Sequence, residues 1–225
     1  MRFVSGLVAL IVTLAVLGGP PRLVPAQGAE DCLVVEDFAG SRVGEFPAGW
    51  RVRADEGKAV YAVREENGRR FLRAHSQGLG IQAAKPYEWD LNAYPVLAWS
   101  WRPLEFPTGA DEQGGKNDSV LAVYLLGPYS RILGFKSVKY VWSATVPAGT
   151  RLESSRGRTQ VLVVRSGTAR RGEWVDERVN ARDDYLAFFE TQEVPKPAGI
   201  AVLTDADDTR SRARGDYANV RVCRG

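Results

Sequence analysis

The sequence predicts an all-β fold, an antiparallel β-sandwich with one short helix, on three observations. Short strand-like runs recur between turn residues, apolar and polar side chains alternate along them with period two, and no long stretch of helical period separates them. Strands joined this way pair antiparallel, because a parallel sheet would need helical crossovers between neighbours. In chain order the runs are residues 32–35, 50–53, 59–64, 70–76, 96–102, 119–126, 138–145, 159–165, 173–179, 199–204 and 218–223, about eleven strands.

The alternation is clearest in VLAWSWR, where Leu97, Trp99 and Trp101 share one face and Ala98, Ser100 and Arg102 the other. The helix is expected in NARDDYLAFFE. Asn180 can cap it, Asp183 sits at the third helical position near the free N–H groups, and Tyr185, Leu186, Phe188 and Phe189 form an apolar stripe that would close one end of the sandwich. Residues 103–117, rich in Gly and Pro, read as a long loop of the kind that carries function.

The chain has 225 residues. Arg2, an apolar run over residues 3–17 and the small residues of Val24-Pro25-Ala26 read as an export signal spanning residues 1–26. That leaves residues 27–225 as a single β-sandwich domain, a size one sandwich can fill. The apolar run is short for a membrane span and ends in Gly18-Gly19-Pro20-Pro21, so no span is expected after cleavage. The expected location is periplasmic or extracellular. A formal charge of +3 falls to about +1 without Arg2 and Arg22, which gives no reason to expect nucleic acid as a partner. Both cysteines remain, one near each end, and an oxidising compartment favours a bridge between Cys32 and Cys223 with the terminal strands side by side.

Several motifs invite chemistry. Gly78-Leu79-Gly80-Ile81-Gln82-Ala83 matches the spacing of a dinucleotide fingerprint, but Pro86 comes too soon for the helix that must follow, so a hairpin turn is expected. His75, the one histidine, has no nucleophile motif to serve and reads as a surface or packed residue. Six tryptophans and eight tyrosines could stack on sugar rings or fill a sandwich core. Trp101 and Trp142, flanked by polar neighbours, are the candidate ligand platforms. The acids Glu112, Asp118, Asp183, Asp205 and Asp207 are the other candidates, with Arg102 beside them. Paired carboxylates can act as acid and base in glycoside hydrolysis, and several together can hold Ca²⁺, which takes six to eight oxygens. DADDTRSRARGD is no EF-hand, since Arg210 stands where that loop needs Gly. Its acids could equally pair with Arg210, Arg212 and Arg214 on a solvated turn.

The ordered motifs WSWRP, ADE, NDSVLAVYLLG, VKYVWSA, GEWVDERVNARDDYLAFF and GIAVLTDADDTRSRARGDYANVRV resemble a family of exported bacterial proteins classified as domain of unknown function 3047, from about Phe38 to Val222. The resemblance implies a jelly-roll-like or galactose-binding-like sandwich and no established activity. Matching positions include Trp99, Trp101, Arg102, Glu112, Asp118, Trp142, Asp183, Asp205, Asp207 and Thr209. The chain departs from the family's pattern at Asn117, where a second acid usually stands beside Asp118, and at Asp208, where the family has Asn.

These features favour a noncatalytic, exported sandwich that binds a polysaccharide or another cell-envelope polymer. A carboxylate-dependent glycoside hydrolase or lyase and a structural envelope protein without ligand are the alternatives. No catalytic residue is assigned, and no cofactor is expected apart from Ca²⁺ as an option.

Overall fold

Two sheets face each other across a core of aromatic and branched side chains in a computed structural model that describes residues 31–132 and 134–225. The expected export signal at residues 1–26 lies outside the described residues. The strands are β1 (Cys32–Glu36), β2 (Arg51–Val52), β3 (Tyr61–Glu66), β4 (Arg69–Gln77), β5 (Ala83–Pro86), β6 (Val96–Glu105) and β7 (Leu121–Ser130). They continue with β8 (Gly134–Ser143), β9 (Arg151–Ser154), β10 (Thr159–Ser166), β11 (Val175–Asn180), β12 (Gly199–Leu203) and β13 (Arg212–Cys223). One α-helix, α1 (Ala181–Phe188), lies between β11 and β12, and a 3-10 helix covers Asp55–Val60.

The six-stranded sheet runs β11-β6-β13-β4-β3, with β1 also on β13; the seven-stranded sheet runs β2-β5-β12-β7-β8-β10-β9. Every pairing is antiparallel except β8 with β10. All eleven expected strands have counterparts. β5 and β9 were not expected, and residues 78–82 join β4 to β5 in the opposite sheet rather than closing a hairpin.

Period-two alternation sends Leu97, Trp99 and Trp101 of β6 inward, where they meet Tyr140 and Trp142 of β8. The Trp99 and Tyr140 rings are 5.7 Å apart, and those of Trp101 and Trp142 5.6 Å apart. Burying one such ring stabilises the fold by about 5 kcal/mol as an upper estimate. Tyr185 and Ala181 of α1 join the same core, and α1 packs against β6 and β8 together, so the helix closes one end between the sheets. Asn180 caps it as its type and position demand, accepting from Asp183 N at 3.1 Å.

Cys32 and Cys223 stand directly opposite each other on β1 and β13, their Cα atoms 4.0 Å apart, and form the bridge. Closing a loop with a sequence separation of 191 residues restricts the unfolded chain by about 5 kcal/mol in the chain-entropy account. Among the described residues no helix is long and apolar enough to cross a membrane.

Candidate functional site

The end of the sandwich opposite α1 gathers carboxylates. β12 is buried along its whole length, and its exit is fixed by hydroxyls: Thr204 Oγ1 donates to Val120 O at 2.9 Å, and Tyr217 OH to Leu203 O at 2.7 Å. Asp205 N then donates to Ser119 O at 3.0 Å, which sets the Asp205 side chain beside Asp118. Asp118, Asp205 and Asp207 each offer an oxygen within 4.8 Å of the others. Asp118 is fully buried and firmly held, accepting from Thr209 N at 2.8 Å, Thr209 Oγ1 at 2.5 Å and Asp208 N at 3.2 Å. Asp205 is 7% exposed, yet its Oδ1 is buried and meets no hydrogen-bond partner. Asp207 is exposed and faces solvent at the cluster's outer edge.

Gly80 closes the inner side. A Cβ there would lie 2.6 Å from Asp205 Oδ1 and 2.8 Å from Asp207 Oδ2, so the absence of a side chain is what leaves room between the two carboxylates. Burial pushes the Asp205 carboxyl up to about 7; attraction to Lys139 works the other way, and Asp207 and Asp118 add to the rise. Burial opposes the Lys139 charge too, but Tyr124, Asp205 and Glu112 outweigh it and hold the ammonium above its ordinary value. All three carboxylates are hard oxygen donors of the kind a Ca²⁺-type cation takes. The same arrangement can share a proton between Asp205 and Asp207.

The other expected site residues go elsewhere. Trp101 and Trp142 are 0% and 1% exposed. Their polar neighbours point to the opposite face of each strand, so neither ring offers a platform to a ligand, which corrects their assignment as ligand contacts. Glu112 is held by Ser119 Oγ at 3.0 Å and Ser143 Oγ at 2.6 Å, which anchors the loop before β7. Arg102 reaches Asp216 and Glu66 on the outer face of the six-stranded sheet, not the cluster. Asp183 lies at the α1 end, exposed, bonded to Asn180 and Arg182. The structure therefore brings together Asp118, Asp205 and Asp207, leaves Glu112 bonded to the neighbouring Ser119 and outside the cluster, and separates Asp183 and Arg102 from it. No ion pair among the described residues joins the cluster to Arg210, Arg212 or Arg214.

A second feature lies on the outer face of the seven-stranded sheet, where a groove of about 790 Å³ runs from Gly80 and Leu203 to the β7–β8 hairpin. Arg51, Arg53, Lys85 and Arg158 line it together with Gln82, Ser155 and Thr159, and the lining contains no Asp or Glu. At its hairpin end Tyr129 and Phe135, paired across the strands and 62% and 40% exposed, set their rings 5.0 Å apart. Neither aromatic was singled out from the sequence; the readable signal was two aromatics flanking the Gly134 turn at a hairpin tip.

A comparison with curated proteins returns no match. Several solved structures are similar at low identity. A carbohydrate-binding module specific for non-crystalline cellulose, CBM28, is 12% identical over 77% of this chain and 86% of its own, with a TM-score of 0.40. The module CtCBM11 is 10% identical over 89% and 99%, with a TM-score of 0.41. Endoglucanase 3 of Trichoderma harzianum, from family GH12, is 12% identical over 89% and 100%, with a TM-score of 0.42. Likenesses this distant do not carry those proteins' ligands to this chain. Sequence membership is clearer: the model of the family described as "Protein of unknown function (DUF3047)" matches residues 48–221, and the chain belongs to that family.

Proposed function

We propose that the protein is an exported, noncatalytic β-sandwich that binds an acidic glycan or a similar envelope polymer along the groove of the seven-stranded sheet. The observation that carries this is the groove's lining: Arg51, Arg53 and Arg158 with no carboxylate among the described lining residues, ending in the exposed Tyr129 and Phe135 rings, while Lys85 is paired with Glu36 at 2.8 Å. Flat rings pack on the C–H faces of sugars, and guanidinium groups bond carboxylate or phosphate in a fork. Arg51 and Arg53 have no ion-pair partner among the described residues, and Arg158 keeps a buried Nε without a hydrogen-bond partner while its Nη2 donates to Gly134 O at 2.8 Å. With no acid in the lining, no pair of carboxylates faces across the groove as glycoside hydrolysis requires, which supports a binding role. Export is supported by the Cys32–Cys223 disulfide, a bond that persists in oxidising compartments.

Affinity electrophoresis through gels containing neutral or acidic polysaccharide tests the reading. Acidic polymer is expected to retard the protein more than neutral polymer. Tyr129→Ala or the Arg51→Ala, Arg53→Ala pair should weaken binding by about tenfold. Retardation by neither polymer, or variants that migrate like the parent, would overturn it.

A further inference from the structure

We propose that Asp118, Asp205 and Asp207 form a Ca²⁺ site, in the space left by Gly80, that ties the exit of β12 to the segment before β7. Two points of chain far apart in sequence, Asp118 and the turn carrying Asp205 and Asp207, converge there beside Gly80, and the three carboxylates offer oxygens within 4.8 Å of one another. That falls inside the span of about 5 Å that two oxygens on one Ca²⁺ can have, given bonds of roughly 2.3–2.6 Å.

Acids can crowd without a ligand, so the decisive observation is a different one. Asp205 is more than nine-tenths buried, and its Oδ1 points at the space in front of Gly80 with no donor to meet it. An orphaned buried carboxylate oxygen costs free energy unless something positive completes it. Asp207 Oδ2 borders the same space, which any residue larger than glycine at position 80 would fill. Asp118 is positioned in advance by the backbone N–H groups of Asp208 and Thr209 and by the Thr209 hydroxyl, so it costs little ordering on binding.

Lys139 attracts Asp205 but makes no hydrogen bond or ion pair with it among the described residues, so Oδ1 stays unmet. Exposed Asp207 provides the route of entry, and remaining ligand positions go to water. No nitrogen or sulfur ligand is present in the cluster, which favours an oxygen-seeking cation over zinc. Gly80 and Leu203 also line the groove, so the ion would brace its end wall. The site does not depend on the glycan reading, because its test involves no polymer.

The whole purified chain, stripped with chelator, is titrated with Ca²⁺ while its melting temperature is followed. A dissociation constant on the order of 10⁻⁴–10⁻³ M or tighter is expected, with melting raised by about 3–6 °C at about ten times that concentration. Asp205→Asn and Asp207→Asn should each weaken binding by at least about tenfold, because each removes a ligand charge. Asp207 is exposed, so its variant tests the site without changing a buried side chain. No shift in the parent at tens of millimolar Ca²⁺ would leave a proton shared between Asp205 and Asp207 and overturn the proposal. A shift of equal size in the Asp207 variant would do the same, by placing the ion elsewhere.

Discussion

Two buried aspartates close to each other in sequence are treated in opposite ways. Asp216 is completely buried on β13, and arginines arrive in register from both neighbouring strands. Arg73 of β4 donates through Nε at 2.8 Å and Nη2 at 3.0 Å, and Arg102 of β6 donates through Nε at 2.8 Å. Asp205 is nearly as buried, but two more carboxylates crowd it, Lys139 attracts it without a hydrogen bond, and one of its oxygens has no hydrogen-bond partner. The sheet interior places a residue's partners by pairing register, whereas the end of the sandwich places them by where loops happen to meet. At Asp216 both carboxylate oxygens are spent on structure; at Asp205 one oxygen remains available.

The comparison breaks most directly at Asp216. Asp216→Ala removes a shared acceptor and leaves two guanidinium groups facing each other. Arg73 is held above its ordinary value by this hydrogen bond first of all, so the loss falls on both partners. Removing one member of a buried pair costs 3–5 kcal/mol in general, and the part-exposure of Arg73 lowers the expectation to about 3 kcal/mol. Urea unfolding at neutral pH measures it. A loss under about 1 kcal/mol would put the centre in the class of surface pairs and remove the contrast.

At Asp205 the sign reverses. With chelator present, Asp205→Asn is expected to stabilise the protein above neutral pH by about 2 kcal/mol, because it removes a charge that burial disfavours. Its folded carboxyl titrates near 7, above the ordinary 3.8. The folded state therefore favours the protonated form, and stability from this group is complete below the ordinary value and lost as pH climbs towards 7. The gain from the substitution should grow across that window and level off beyond it. A difference between parent and variant that stays flat from acid to neutral pH would refute the account.

How much of this was readable from the sequence follows the same division. Strands with strong alternation, such as VLAWSWR, were legible because period two needs no knowledge of partners. β5 was not, since Ala83-Ala84-Lys85-Pro86 has no branched or aromatic side chain and sits behind a glycine-rich turn, and β9 is four residues at a sheet edge. Trp101 and Trp142 mislead for a physical reason: polar neighbours in sequence suggest a wet ring, yet in a strand adjacent residues point to opposite faces. Asp118, Asp205 and Asp207 were recognisable as acids at strand ends. Their convergence depends on Asp205 N reaching Ser119 O, and the role of Gly80 on a close approach, neither of which leaves a trace in one chain's spacing. Asp183, with the same side chain in a similar doublet, looks alike in sequence although β6 spans the sandwich between it and the cluster.

Asp183 therefore supplies the zero of the scale. It is exposed at the start of α1, where its Oδ1 lies 2.9 Å from Arg182 Nη1 and its Oδ2 accepts from Asn180 Nδ2 at 2.7 Å. The favourable terms are a solvated ion pair and the attraction of a carboxylate to the free N–H groups of the first helical turn, each worth at most a fraction of a kcal/mol at ordinary salt. The cap itself survives the loss of the side chain, because Asn180 Oδ1 accepts from the backbone N–H of Asp183 and not from its carboxylate. Asp183→Ala should thus change stability by no more than about 0.5 kcal/mol in urea unfolding. It should also leave any Ca²⁺-dependent melting shift as large as in the parent. A reduced shift would mean that α1 and the acid cluster are energetically linked across the length of the sandwich, and the division between structural and available carboxylates would then have to be redrawn.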